Sequence, residues 1–202
     1  MRKLVYQMMI SSNGRMDDPF AWISDVRDDQ YAEIDRFYEG FDTLLVGHAT
    51  YHEMFGYWPG AETEEGGTEV NKRMARRMNS VKKYVVSAAK ETTALEWNNA
   101  ELVLSHSDQE FLALSERLKS QPGRDIHCLV QTAVRLGLID EYRLFVYPTV
   151  SHGRTWFDDM KQQQGLELIG SKTFSNGVVG LVLRPKAGAE SKRPAHFTEV
   201  LS

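Results

Sequence analysis

Short apolar runs alternate along the chain with segments in which apolar residues recur every three or four positions. The runs are typical of buried strands, and the spaced segments are typical of amphipathic helices. This alternation favours an α/β architecture over separate all-α and all-β parts. The predicted strands are residues 4–10, 43–46, 83–87, 101–104, 125–128, 142–147, 166–174 and 178–183, and the predicted helices are residues 28–38, 49–55, 69–78, a segment around 111–118, and 130–136.

Turn signals separate these elements without dividing the chain into domains. Asn176-Gly177 stands between the last two predicted strands, and Asn-Gly is the strongest short hairpin signal. Residues 56–67 read as a loop, and we see neither an internal repeat nor an interdomain linker. We therefore predict one domain over residues 1–184, followed by a tail, residues 185–202, that is irregular or draped on a neighbouring surface.

Composition and charge narrow the class of protein. The 202 residues carry 24 basic and 28 acidic side chains, a net charge of −4, and a single cysteine, Cys128, which cannot form an internal disulfide. The first apolar run is too short for a signal or membrane segment, so we expect a cytoplasmic protein with no membrane partner. The basic stretch at residues 72–77 is typical of a solvated helix face, and we expect no nucleic-acid partner.

An ordered succession of short sequence blocks resembles a known family. The chain is similar, over about residues 2–184, to the dihydrofolate-reductase-like proteins related to the C-terminal reductase domain of bacterial riboflavin biosynthesis enzymes. The blocks are Ser12-Asn13-Gly14, Trp22-Ile23-Ser24-Asp25, Leu44-Leu45-Val46-Gly47-His48-Ala49-Thr50-Tyr51, Phe55-Gly56-Tyr57-Trp58-Pro59, Lys83-Tyr84-Val85-Val86-Ser87, Trp97-Asn98-Asn99-Ala100 and Gly137-Leu138-Ile139-Asp140-Glu141-Tyr142.

The resemblance implies a fold, a cofactor and a reaction. The fold is a three-layer α/β structure with a mixed, mostly parallel central sheet flanked by helices. The implied reaction is hydride transfer from NADPH to a small heterocyclic, pterin- or pyrimidine-like substrate, and the implied assembly is a homodimer. Strands such as residues 142–147 are long, apolar and rich in β-formers, so an unpaired edge there would be a liability, and we expect the homodimer to cover one such surface.

The predicted cofactor contacts are Gly47, His48, Thr50 and Ser87. A strand that ends in Gly47 and opens a helix brings free backbone N–H groups and a positive dipole end to one point, which suits a phosphate. The family usually places a basic residue where this chain has His48, and histidine is largely neutral at pH 7. The resemblance implies that the strand ending at Ser87 approaches the 2′-phosphate of NADPH, where Lys90 could supply a positive charge. Thr50 and Ser87 are equally typical of simple caps.

Two glycine-containing turns of the family are altered in this chain. The strand Asp125–Cys128 leads directly into Leu129-Val130-Gln131-Thr132, and no glycine lies between Gly123 and Gly137. The loop at residues 150–157 keeps only Gly153 where relatives usually have two glycines. Because side chains obstruct close approach to a pyrophosphate, the alternative function is a non-catalytic or altered-ligand member of the fold.

The substrate side of the site is less specific. Trp22, Tyr57 and Trp58 could line an apolar site for a flat ring, or could be lids on the core. In dihydrofolate reductases an acidic residue on the first helix holds the pterin, and Asp28 is our candidate for that role. Asp17, Asp18 and Asp25 are close to it in the sequence, and Asp28 could equally complement the helix dipole. The sequence identifies no catalytic residue.

No motif predicts a metal site. His127 and Cys128 lie on a strand without a second cysteine or ligand spacing, which favours a packed strand. His52-Glu53 lacks the following histidine of a zinc-protease helix, and we set that interpretation aside.

Overall fold

The computed structural model describes residues 1–89, 94–160 and 163–186. Over these residues the chain forms eight strands, six α-helices and a 3₁₀ turn at Pro19–Ala21. The strands are β1 (Leu4–Ser11), β2 (Phe41–Gly47), β3 (Lys82–Ser87), β4 (Ala100–Leu104), β5 (Asp125–Cys128), β6 (Glu141–Tyr147), β7 (Leu166–Thr173) and β8 (Val179–Pro185); the helices are α1 (Asp28–Glu39), α2 (His48–Phe55), α3 (Trp58–Ala61), α4 (Glu69–Ser80), α5 (Asp108–Ser120) and α6 (Gln131–Arg135).

All eight strands form one sheet in the order β4-β3-β2-β5-β1-β6-β8-β7. The six strands from β4 to β6 run parallel to their neighbours, whereas β8 is antiparallel to β6 and β7. The predicted mixed, mostly parallel α/β sheet is therefore confirmed. The last two strands pair as the predicted hairpin, and Gly177 in its turn has a φ of 80°, a conformation that favours glycine.

Helices cover both faces of the sheet and create two hydrophobic cores. On one face, residues of α1, α2 and α4 pack against Leu44 and Phe145 of the sheet. On the other face, residues of α5 and α6 pack against Leu4 and Tyr142. The three layers follow from strands that are apolar on both sides and helices with one apolar stripe each.

Residues 142–147, considered above as a strand whose unpaired edge a dimer would cover, do not lie at an edge of the sheet. They belong to β6, which lies between β1 and β8 and is hydrogen-bonded on both sides. A continuous apolar run is the pattern of a strand buried on both faces, and it carries no information about whether the strand is at an edge. The ends of the sheet are β4 and β7.

Two further differences concern residues 56–80. The predicted loop contains α3, a single turn with Pro59 in its first turn. The basic stretch lies on α4, as predicted, but part of it is paired: Arg73 and Arg77 lie 2.6 and 3.4 Å from the Asp35 carboxylate on α1. Residues 187–202 of the predicted tail lie outside the described residues.

None of the helices in the described part of the chain is both long and apolar enough to cross a membrane.

Candidate functional site

Two helices begin at the edge of the sheet where the parallel strands have their carboxyl ends. Gly47, the last residue of β2, is the N-cap of α2, and Val130, just after β5, is the N-cap of α6. Neither cap makes a side-chain hydrogen bond to its helix. Because the first backbone N–H groups of a helix have no intrahelical acceptor, both starts offer donors to an external acceptor.

The two helix starts are neighbours because β2 pairs with β5. Leu45 lies opposite Cys128 in the ladder, and the Leu129 N–H donates to the Leu45 carbonyl at 2.8 Å. Two positive dipole ends thus lie side by side at one point of the sheet edge. Such an arrangement suits an anionic group, and open α/β sheets bind ligands at this edge.

Gly47 leaves open space at the start of α2. A Cβ built at this position would meet no atom within 4 Å. Its φ of −72° is ordinary, so the backbone conformation does not require glycine. The missing side chain therefore matters for what can approach the α2 start from outside rather than for the fold.

His48 is the first residue of α2, and its imidazole contacts that of His52 one turn later. The two Nε2 atoms are 3.3 Å apart, and the rings meet edge to face. Sequence reasoning treated the two histidines separately. The signal that could have joined them is their spacing of four residues, which places side chains on one face of a helix.

Thr50 and Ser87 lie near the start of α2 and differ in exposure and in hydrogen bonding. Thr50 is the third residue of α2 and is partly exposed. Ser87 ends β3 next to β2 and is buried, and its hydroxyl accepts the Ala89 N–H at 3.1 Å. Ser87 therefore caps its own turn, while its hydroxyl proton stays available to another acceptor. Lys90 lies outside the described residues.

The start of α6 is partly closed by the chain itself, in line with the missing glycines. The Leu129 N–H serves the β ladder, and the Val130 N–H faces the thiol of Cys128. Burial raises the pKa of that thiol to about 12, so it is neutral and unreactive. The Gln131 side-chain amide donates to the Tyr6 hydroxyl at 2.8 Å.

The loops after β1 and β6 are fastened to each other beside this edge. The Arg15 guanidinium donates to the Ser151 hydroxyl at 2.7 Å, and Asn13 bonds the backbone of Ser151 in both directions. At Gly153 a Cβ would collide with the Arg15 and Asp17 side chains. The one glycine retained in the second loop is thus explained by a contact within the protein.

The three substrate-side candidates differ in burial and in their contacts. Trp22 is buried, donates from Nε1 to the Asp17 carbonyl at 2.9 Å and packs edge-on against Tyr147, so it is a core lid rather than an open wall. Trp58 is half-buried beside Tyr57. Asp28 is exposed at the start of α1, where it complements the helix dipole.

The inward-facing polar residue of the first turn of α1 is Gln30, which sequence reasoning missed. It is fully buried, donates to the Tyr147 hydroxyl at 2.8 Å and accepts from Asn176 at 3.1 Å. Its spacing of four from buried Ile34 was the available signal. An amide in this position orients neighbours but, unlike a carboxyl group, is neither an acid nor a base near neutral pH.

This fold and this edge define an α/β protein of the dihydrofolate-reductase-like class. Solved structures of that class superpose on the chain. A riboflavin biosynthesis protein from Shewanella sp. PV-4 matches with a TM-score of 0.63 at 14% identity, covering 91% of this chain and 99% of that one. Dihydrofolate reductase from Enterococcus faecalis, complexed with NADP(H), matches with a TM-score of 0.57 at 11% identity, covering 91% and 96%.

Within that class, the chain belongs to the RibD C-terminal domain family, whose model matches residues 2–180. The uncharacterized protein YyaP of Bacillus subtilis (strain 168) is 34% identical over 152 residues, which are 72% of this chain and 75% of YyaP. The resemblance seen in the sequence blocks is thus confirmed.

Proposed function

We propose that this protein is an NADPH-dependent reductase that transfers hydride to a small heterocyclic, pterin- or pyrimidine-like substrate. The observation that carries the proposal is the pair of helix starts at Gly47 and Val130, adjacent at the carboxyl edge of the sheet. Backbone donors and two dipole ends fit the diphosphate of a dinucleotide, and the space at Gly47 admits it.

The chain's own residues would bind and orient rather than react. The amides of His48 and Ala49 would hold phosphate oxygens at the α2 start, with Thr50 and Ser87 adding hydroxyl donors. The nicotinamide would supply the hydride. Trp58 remains our candidate for contact with a flat substrate ring, while buried Trp22 and exposed Asp28 are weaker candidates on the geometry above.

Relatives support this proposal at the level of reaction class. The bifunctional Thermotoga maritima enzyme, named as a diaminohydroxyphosphoribosylaminopyrimidine deaminase and 5-amino-6-(5-phosphoribosylamino)uracil reductase, matches with a TM-score of 0.60 at 13% identity. The match covers 92% of this chain and 57% of the enzyme. A pyrimidine ring carried on a phosphorylated sugar is accordingly the first substrate class to test.

The test is a titration with NADPH, monitored by nucleotide fluorescence, of the natural chain and of one variant that fills the space at Gly47. We expect saturable binding by the natural chain and at least about tenfold weaker binding by Gly47→Leu, because losing even one backbone bond to a charged phosphate costs about 1.5–3 kcal/mol. Gly170→Leu is the matched control: its Cβ also meets nothing within 4 Å, but it lies on β7, at the far side of the sheet.

The results show separately whether NADPH binds and whether it binds at the start of α2. No saturable signal at millimolar NADPH would overturn the cofactor assignment. Equal binding by the natural chain and Gly47→Leu would move the nucleotide away from the α2 start. Given binding, oxidation of NADPH in the presence of pterin and pyrimidine compounds tests the substrate class.

A second candidate function rests on the start of α6. Because Leu129 and Val130 direct their N–H groups inward, this corner offers fewer donors than a glycine turn would. A member of the fold that binds another, smaller anion, or that has no catalytic role, would have this feature. Inorganic phosphate binding without NADPH binding would favour this alternative.

A further inference from the structure

A cavity of about 210 Å³ lies between α1 and the strands β6, β8 and β7, and the reductase proposal does not use it. The cavity faces Glu33 and Phe37, in the middle and near the end of α1, whereas Asp28 lies at the start of that helix. Strands β5 and β1 separate β6 from β2, the strand that ends at Gly47. The cavity is therefore distinct from the start of α2.

Three phenylalanines and two glycines shape the cavity. The ring of Phe145 on β6 neighbours those of Phe37 and Phe174, with centroids 6.2 and 5.7 Å away. A Cβ on Gly170 of β7 would meet no atom within 4 Å, whereas a Cβ on Gly180 of β8 would lie 3.0 Å from the Phe174 ring. The absence of side chains at these two positions leaves an open surface beside aromatic rings, which suits a flat ring.

The volume of the cavity limits the size of its ligand. A dry cavity of about 150 Å³ holds a benzene molecule, and pockets for drug-sized ligands measure about 300–1,000 Å³. The volume of about 210 Å³ lies between these values. It fits a compound of one or two rings.

The charged side chains that line the cavity are two cations and one carboxylate. Lys172 donates to Glu33 at 2.8 Å, and an ammonium group has two further N–H donors. The Arg143 guanidinium lies 4.0 Å from the centre of the Phe37 ring and contacts Glu141 through Nε and Nη2, each at 2.7 Å. A guanidinium has five N–H donors, so the lining combines a net positive charge with donors for an anion.

The ion pairs around the cavity also contain more cations than carboxylates. Five basic side chains lie within 3.5 Å of the carboxylate of Glu33 or of Glu141, namely Lys3, Arg36, Arg143, Lys172 and Arg184. Glu167, which lies opposite Arg184 in the ladder between β7 and β8, does not reverse this excess. A ligand with one negative charge is therefore attracted more than it is repelled.

We propose that this cavity binds a flat aromatic carboxylate of one or two rings. The ring packs against the phenylalanine side chains over Gly170 and Gly180, and the positive charge of Arg143 and Lys172 holds the carboxylate. The site requires neither NADPH nor the residues on the substrate side of the reductase site, and so it goes beyond the reductase proposal.

The experiment titrates the full chain with 2-naphthoate, monitored by the fluorescence of the naphthalene ring, and repeats the titration with the neutral 2-naphthamide. We expect saturable binding of one naphthoate per chain. The amide should bind at least about tenfold more weakly, because hydrogen bonds to a charged acceptor are stronger than those to a neutral one. This comparison changes only the ligand and leaves the fold untouched.

Two variants locate the binding site. Gly170→Leu should abolish saturable naphthoate binding, because its side chain occupies the space of the ring. Lys172→Gln should weaken naphthoate binding about two- to fivefold, the range expected for an exposed charge. Its matched control is Lys82→Gln, which also breaks an exposed pair, with Glu101 at 2.7 Å, but lies on β3 and should bind naphthoate like the natural chain.

Gly170→Leu also keeps this proposal separate from the reductase proposal. The variant should lose naphthoate binding while its NADPH binding stays that of the natural chain. NMR of methyl groups gives a further readout: naphthoate should shift the signals of Val182, which lines the cavity, and not those of Val150, which is exposed on the loop after β6.

Four results would overturn the proposal. They are the absence of saturable naphthoate binding by the natural chain, equal affinities for the acid and the amide, equal naphthoate binding by the natural chain and Gly170→Leu, and unshifted Val182 signals. Naphthoate binding that weakens as the chain concentration rises would make a second copy of the chain the occupant of the cavity, and would likewise overturn it.

Discussion

His127 on β5 is a histidine buried without an adequate partner. Its ring stacks on Phe41 and tilts against Tyr38, and neither ring nitrogen makes a hydrogen bond of normal geometry. Burial lowers the pKa of His127 to about 4, helped slightly by the nearby charge of Arg143 and opposed by the backbone of Gln7. The predicted packed strand is confirmed, and it has a titratable group within it.

We expect this histidine to make the fold sensitive to acid. Below the ordinary histidine pKa of about 6.5 the unfolded chain gains a proton that the folded chain excludes until about pH 4, so stability falls as pH drops through this window. For this group alone the loss between pH 7 and pH 5 is about 2 kcal/mol. Urea unfolding at both pH values should show the loss in the natural chain.

The variant that checks the cause is His127→Phe, which retains an aromatic ring between Phe41 and Tyr38 but cannot titrate. Its unfolding free energy should change less between pH 7 and pH 5 than that of the natural chain. His152→Asn removes an exposed histidine and should keep the natural pH dependence. An unchanged slope in His127→Phe would assign the acid sensitivity to other groups.

Between elements, the most informative polar contact joins α1 to α4. Asp35 on α1 is buried, and Arg73 and Arg77 of α4 converge on it. Arg77 also lies 3.4 Å from Glu39, an exposed residue one turn further along α1. The two carboxylates thus share a cation but differ in burial, which provides a matched comparison.

Asp35→Asn should lower the free energy of unfolding by about 1.5–3 kcal/mol, since it removes the charge of a buried acceptor that is hydrogen-bonded to Arg73. Glu39→Gln should cost less than about 1 kcal/mol, because exposed ion pairs are screened and contribute little. Chemical denaturation of the three proteins measures both values. Equal losses would mean that burial of Asp35 adds nothing to the contact.

At the scale of elements, periodicity was enough to predict nearly every helix and strand. The apolar spacing along α1 and the continuous apolar run of β6 predict which faces of these elements are buried. The short helix α3 was missed because four residues carry no period. At the site, the start of α2 was visible in Gly47-His48, and the four-residue spacing of His48 and His52 was visible too, but the inward direction of Gln30 depends on how α1 lies on the sheet.

At the scale of the whole molecule, the homodimer stays a prediction with a changed location. Of the two edge strands, β4 is short and carries Glu101, which pairs with Lys82 at 2.7 Å. Strand β7 is longer and exposes Leu168 and Ile169, 57% and 44% accessible. An eight-residue edge strand with two exposed apolar side chains favours association, so β7 is the surface that we expect a second copy of the chain to cover.

Light scattering at micromolar concentration should therefore give the mass of a dimer, and Leu168→Lys should shift it to the monomer with the fold retained. Leu104→Lys, on the other edge at β4, is the matched control and should stay dimeric. A monomeric natural chain would contradict the prediction. Dissociation by Leu104→Lys alone would move the contact to β4.

The position of β1 has a consequence for how the molecule is made. This first strand lies between β5 and β6, and Val5 is opposite both His127 and Glu141. During synthesis, β1 leaves the ribosome long before either neighbour exists, so the middle of the sheet closes only after β6 has been translated. Such high contact order slows folding. Until then, the backbone of β1 lacks its pairing partners and its apolar side chains are uncovered, so we expect chaperone dependence to concentrate in this interval.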